Sequence, residues 1–339
     1  MTEILAPGQP PTPPEPEERL DTPIVIKTRV EFADKVFRGL LRGGGFAVVT
    51  IIGLIAFFLI NHAWSSFKQV GWHFLSTSVW NPASGRFGIA AVLPDGAVIA
   101  LVALVIAIPV AVSAAIFISE YAPTALRKPL IALIDLMAAI PSIVYALWGV
   151  YFMEPRVIGA IRWAADHLGS VIPAFQVRGG DEQSHLTSSP FLAGLVVSLM
   201  VIPIATSICR EVYSRAPVGE REAAYALGSS RWGMVRTVVL PYGRGGAIGA
   251  IMLGFGRAMG ETIAVSLLIS PGYFFTWHIF EDRGNSIPAL IALKYQESTP
   301  QMLSSLMAAG LVLFAVTFAV NALAGVIVTR SRSAQNTAD

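Results

Sequence analysis

The apolar residues of this chain come in long unbroken runs rather than at the spacing of one buried face. Stretches free of Asp, Glu, Lys and Arg cover residues 43–67, 96–119, 136–153 (with 129–134 just before Asp135), 183–209, 245–256 with 262–280, and 298–329. A helix needs about 20 such residues to cross about 30 Å of hydrocarbon. Trimmed to that length, the runs predict six transmembrane helices, at roughly 44–63, 97–119, 129–152, 190–210, 245–270 and 303–328. The fold class expected is an all-α polytopic membrane protein. Residues 1–42, proline-rich from Pro7 to Pro16 and then acidic, read as a disordered cytoplasmic tail and lack the early apolar core of a cleaved secretory signal. Residues 331–339 read as a second short tail.

Three spans carry an interior proline, Pro109, Pro141 and Pro203. Each removes a backbone hydrogen bond, so each is expected to kink or unwind its helix. In a membrane such breaks survive where neighbouring helices or a water-filled cavity satisfy the freed carbonyls. A cavity-lining bundle follows from this, with kinks in a static bundle as the plainer alternative.

Charge gives the orientation. With the N-terminus inside, the inner segments hold sixteen basic residues and the outer loops seven, leaving Arg257 inside a span. Basic residues favour the cytoplasmic side. Both termini and the 211–244 loop are therefore expected in the cytoplasm, and the 153–189 loop outside.

Composition agrees and excludes several activities. The chain has 339 residues, 54% hydrophobic and only 14% charged, with mean hydropathy +0.62; ordinary soluble domains are far less apolar. The net charge of +2 gives no ground for a nucleic-acid partner. Cys209 is the sole cysteine, so no disulfide framework and no thiolate metal cluster is possible, and the five histidines form no ligand-spaced pair. None of the five lysines follows a glycine, so no Walker-type phosphate loop exists. No metal and no cofactor is expected on this chain; if transport is ATP-driven, ATP and Mg belong to a partner subunit. No cluster of acids or histidines at one membrane face suits a membrane enzyme, so no catalytic residue is assigned.

Within the run 245–270, Arg257 lies twelve residues in, about 18 Å along a continuous helix. A charge near the bilayer centre costs about 2.5–3.5 kcal/mol on insertion scales. Glu261, four residues on, would share a face with Arg257 and neutralise it. A self-cancelling pair that holds the bundle together is one reading. Against it, Arg before Glu is the weaker helical order, and Gly249, Gly254, Gly256 and Gly260 bare the backbone for close approach. A guanidinium fork matches two oxygens of a tetrahedral anion, so Arg257 is a candidate on an anion path. Glu261 would compete for it as the anion leaves. Thr262, Ser142 and Tyr145 are candidate hydroxyl donors. Asp135 is a possible second carboxylate near the path, or simply a residue near the inner interface.

The 211–244 loop has its own pattern: Glu222-Ala223-Ala224, then Gly228, then Val238, Leu240 and Pro241. Glu220 to Leu227 reads as a short helix with acids in its first turn, ended by Gly228. Ser229 or Ser230 is expected to cap a second helix from Arg231 towards Leu240, which Pro241 would stop. Tyr225 and Trp232 would be apolar plugs on such a knuckle, with Arg231 and Arg236 around them. Composition leaves two readings, a knob for a soluble partner or a basic loop on anionic lipid.

This spacing matches the signature loop of ABC importer permeases at Glu222, Ala223, Ala224, Gly228, Leu240 and Pro241, with Val238 where isoleucine is usual. The segment Gly254-Phe-Gly-Arg-Ala-Met-Gly-Glu-Thr262 resembles that of the permeases of the phosphate-specific importer. Trp80-Asn81-Pro82 with Gly85-Arg-Phe-Gly88, Phe117 to Pro123 and Ala139 to Gly149 extend the likeness over nearly all of 35–330, and favour the C-type permease over the A-type. The family often has glycine where Ala146 stands and glutamate where Asp135 stands, which weakens a role for Asp135.

The resemblance implies a type I ABC importer permease (MetI-like) fold in the bacterial cytoplasmic membrane. It implies coupling helices, including Arg231, docked on a dimer of ATP-binding subunits, a second homologous permease of the A-type alongside, and an extracytoplasmic phosphate-binding protein above. It ties Arg257 and Glu261 to phosphate translocation. A sulfate or molybdate importer and an ion-coupled secondary anion transporter are the alternatives; the first is opposed by the Arg257–Glu261 segment, and the second has no use for the cytoplasmic knuckle.

Overall fold

The computed structural model describes residues 32–177, 186–273, 277–282 and 284–336, with side chains as far as residue 326. The chain divides into two compact units, residues 1–52 and 53–339. Helix α1 spans Phe32–Val70. The tail expected over 1–42 lies outside the described residues up to position 31, but residues 32–42 are helical. Val36, Phe37, Leu40 and Leu41 give that segment apolar turns without a proline, and Asp34 pairs with Arg38 at 3.1 Å across one turn.

Beyond the boundary, α2 (His73–Ser76) and a two-stranded hairpin, β1 (Trp80–Asn81) and β2 (Arg86–Phe87), form a small cap in antiparallel register Trp80 to Phe87. Asn81 Oδ1 accepts from the Ala83 and Ser84 amides, and Gly85 takes φ +64° to close the turn. Trp80 meets Phe87 edge-on and joins Phe74, Ile287, Leu290, Met302 and Leu306 in one apolar cluster.

The principal core is built on α3 (Val92–Ile116) and α7 (Pro190–Ser214). On α3, Ala100, Ala103, Ala107, Ala111 and Ala115 recur every three or four residues and are fully buried. Small side chains let helices approach where lipid supplies no hydrophobic drive. At Gly194 of α7 an added Cβ would stand 2.7 Å from Val102 Cβ and 3.0 Å from the Ile99 carbonyl. Helix α10 (Leu240–Gly260) packs on both through Ala250, Gly254 and Ala258.

Helices α4 (Thr124–Ala139) and α5 (Ser142–Trp148) follow α3, and a π-helical turn at Gly149–Met153 leads into α6 (Glu154–Leu168). The amphipathic α6 buries Ile158 and Ile161 against Leu186 and Phe280. Helices α8 (Val218–Ala226) and α9 (Arg231–Met234) precede α10. Next come α11 (Ile263–Leu268), α12 (Ile287–Lys294) and α13 (Pro300–Asn336). The helix therefore runs through most of the short tail expected at 331–339. Ser66, Ser304 and Ser305 stitch α1 to α13 by hydrogen bonds of 3.0 and 3.1 Å, and Ser304 also donates to the His62 carbonyl.

Among the described residues five helices are long and apolar enough to cross a membrane, and a sixth span results if the bent pair α4–α5/α6 counts as one. This is the helical permease architecture expected from the pattern, and the run 129–152 bends by 90° after Ala139, at the kink expected of Pro141, which caps α5. Three features differ. Pro109 and Pro203 sit inside uninterrupted helices, so only one of the three interior prolines breaks its span. The run 245–270 is not one helix: α10 ends at Gly260 and Glu261 is extended, with ψ 121°. Finally, Pro241 does not stop the helix begun at Arg231. A π-helical turn at Val235–Val239 adds a residue, the Leu240 amide reaches back to the Val235 carbonyl, and the proline ring is accommodated at the start of α10.

Candidate functional site

The break in α10–α11 changes the expected charge pair. Helical spacing would put Glu261 over Arg257, but Gly260 ends the helix and the extended Glu261 turns onward. Its Oε1 accepts weakly from the Ala264 amide at 3.4 Å, and Thr262 Oγ1 donates to the Gly260 carbonyl at 3.3 Å. The physical cause is the glycine, which adds no side chain to hold the last turn, followed by two polar residues that bond locally to backbone. Among the described residues no carboxylate lies within 4.0 Å of Arg257. The guanidinium stands exposed in the last turn of α10, an end of a helix that favours a cation. It therefore stands near the end of a helix and not midway along a continuous one.

The chain that follows Arg257 meets the other broken span. Helix α11 packs against α5, with Gly149 close to Leu268 and Val196. The Tyr145 hydroxyl of α5 donates to the Met137 carbonyl at 2.8 Å, across the α4–α5 bend. Ser142 lies one turn before Tyr145 on α5, half-buried. Two helices that each start at a break thus pack together: α5 carries Ser142 and Tyr145, and α11 follows Glu261 and Thr262, with Arg257 in the last turn of α10 just before them. Beside α5, Met137, Ile140, Val144, Tyr145, Trp148 and Leu199 line an apolar cavity of about 270 Å³.

The glycines of α10 divide by role. Gly254 is filled by its neighbours, since a Cβ there would stand 2.8 Å from Val201 Cγ1. Gly249, Gly256 and Gly260 meet nothing within 4 Å, so the face that carries Arg257 is open. Asp135 is exposed on α4, and among the described residues no basic group lies within 4.0 Å of it.

In the 211–244 loop, Gly228 takes φ +80° and closes α8 with two backbone bonds, Gly228 N to the Tyr225 carbonyl and Ser229 N to the Ala224 carbonyl. This is the paired pattern that left-handed glycine allows at a helix C-terminus. Ser230, not Ser229, caps α9, accepting from the Gly233 amide at 3.1 Å. Tyr225, Leu227 and Trp232 stand exposed, Leu227 at 89%. Between α8 and the π-helical turn is a groove of about 450 Å³, lined by Glu220, Ala223, Ala224, Leu227, Ser229, Thr237 and Val238.

The binding-protein-dependent transport system inner membrane component family matches this chain over residues 107–333. The chain belongs to that family. Its match takes in the alanine ridge from Ala107 on, both broken spans and the whole 211–244 loop. A phosphate transport system permease protein (PstC 2) of Mycobacterium tuberculosis is 37% identical to this inner membrane component over 302 residues, 87% of this chain and 91% of the relative. A phosphate transport system permease protein (PstC) of Pasteurella multocida is 34% identical over 306 residues, 87% and 91% of the two chains. One from Mesorhizobium japonicum is 31% identical over 308 residues, 89% and 92%.

Two contacts of this inner membrane component were not expected from its sequence. Arg221 NH1 of α8 meets Glu120 Oε2, in the π-helical turn Phe117–Tyr121 that extends α3, at 3.0 Å; its NH2 donates to the Tyr213 carbonyl at 2.7 Å. Arg231 lies over the Tyr121 ring at 5.1 Å. An acid at the inner end of an apolar span, with a basic loop expected on the same side, was the signal available. Nothing in the spacing tells which of the loop arginines it meets.

Proposed function

We infer that this chain is a membrane-spanning permease subunit of an ATP-driven phosphate importer, of the C-type. The observation that carries this reading is Arg257, a guanidinium at the break between α10 and α11, with no carboxylate within 4.0 Å among the described residues and open glycines beside it on the helix. A fork of donors there suits a tetrahedral oxyanion. The relatives' names supply phosphate as the anion. Glu261, held away by the break, takes the guanidinium once the anion has left; Ser142, Thr262 and Tyr145 supply hydroxyls along the way. Asp135, with no basic group within 4.0 Å among the described residues, is assigned a place near the path only.

The α8–α9 knuckle is read as the coupling element, with Glu222, Ala223, Ala224, Gly228, Arg231, Leu240 and Pro241 shaping the surface that meets a dimer of ATP-binding subunits. ATP and Mg are bound there, and this chain carries no bond chemistry of its own. A second, A-type permease completes the path across the bilayer, and an extracytoplasmic phosphate-binding protein delivers the anion. Both termini then lie in the cytoplasm.

The experiment is reconstitution of this chain with those partners in vesicles containing ATP and Mg. Uptake of phosphate that ceases when the ATP-binding subunit is omitted is expected. Equal uptake of sulfate or molybdate would replace phosphate as the cargo, and uptake without the ATPase would mean an ion-coupled carrier.

A further inference from the structure

Helix α8 is attached to the membrane helices by very little. It buries none of its residues. Only Arg221 and Ala224, one turn apart, are partly covered, and Ala224 packs on the main core by a single methyl. A helix that must pass displacement to its neighbours needs a stiff connection, and a methyl contact alone gives way under sideways load.

We infer that the Glu120–Arg221 pair is the strut that carries movement of the coupling knuckle into the membrane helices, so that both are positioning residues for transport. The Glu120 side chain is 5% exposed and that of Arg221 20%, so their attraction is weakly screened. The same guanidinium holds the Tyr213 carbonyl near the end of α7. One side chain of α8 thereby grips the inner ends of both α3 and α7, the two helices that form the centre of the core. The cation of Arg231 over Tyr121 adds a second contact to the same π-helical turn.

The pairing is single rather than forked. Glu120 Oε1 and Arg221 Nε are both buried without a hydrogen-bond partner among the described residues. A fixed anchor would use both oxygens of the carboxylate in a fork. One oxygen and one N–H in reserve let the pair shift from one contact to two as α8 moves, without releasing. The strut therefore stays engaged through the stroke, as a static cap would not need to.

This rests on the reading of the 211–244 loop as the ATPase contact, and the test separates the two. The complete complex is reconstituted with Glu120→Gln, with Arg221→Gln and with the double variant Glu120→Leu/Arg221→Met, which removes the pair without stranding a buried charge. Phosphate uptake, ATP hydrolysis and the amount of ATP-binding subunit retained are measured together. Each variant is expected to keep the ATP-binding subunit and hydrolyse ATP, while anion moved per ATP falls about 3- to 30-fold. Wild-type transport per ATP in the double variant, at equal assembly, would overturn the strut and leave the docking reading standing. If the single variants do not assemble, the double variant alone decides. If the unaltered chain retains no ATP-binding subunit, the docking reading falls and the strut with it.

Discussion

Replacing Arg257 by Gln removes a charge while keeping a side chain that can still donate one neutral hydrogen bond. Two charge-assisted bonds from the guanidinium to an oxyanion contribute about 1.5–3 kcal/mol each, and a neutral amide bond returns about 1 kcal/mol. The net loss is about 2–5 kcal/mol if the arginine binds the moving anion, which corresponds to a roughly 30- to 5000-fold fall in uptake. Structural damage is expected to be small. Arg257 is exposed in the chain and has no carboxylate within 4.0 Å among the described residues, so its removal strands no partner. A surface-type change of about 0.5 kcal/mol in stability is the expected scale. The assay is ATP-driven uptake of labelled phosphate into vesicles, normalised to assembled complex, beside the rate of ATP hydrolysis. Arg257→Lys, which keeps the charge and loses the fork, should fall between the two. Uptake by Arg257→Gln within twofold of the unaltered complex would refute the argument, because no oxyanion path could lose its guanidinium so cheaply.

Tyr145→Phe deletes the hydroxyl that ties α5 to the Met137 carbonyl; a loss of about 1 kcal/mol is expected at the bend, seen as slower uptake with ATP hydrolysis retained. Gly228→Val forces a β-branched residue to φ +80°, a strain of about 1–2 kcal/mol or more, so anion moved per ATP should fall while Gly219→Ala, in open space, changes nothing; equal coupling in both would mean the knuckle's turn is not needed. Gly194→Leu drives a side chain into Val102 and the Ile99 carbonyl and should cost about 3 kcal/mol or more, read as loss of folded protein on heating in detergent.

The sequence by itself determined the elements whose cause is local or set by the solvent. Apolar runs long enough for a bilayer became the spanning helices. The left-handed glycine at 228 and the N-capping Ser230 fixed the α8–α9 turn, because a positive φ and an N-cap are decided within four residues. Tertiary structure decided where long helices break. Pro109 and Pro203 lie in continuous helices while Pro141 begins a new one, since neighbours determine whether a freed carbonyl is tolerated or the chain turns away. The same holds for Arg257 and Glu261: four residues apart they read as a pair, and a glycine break with local backbone bonds parts them, leaving the arginine with no carboxylate within 4.0 Å among the described residues. Glu120 and Arg221, a hundred positions apart, had no spacing to announce them. Periodicity reports which face a residue occupies on one helix; which charge it meets on another is set only once the helices have packed.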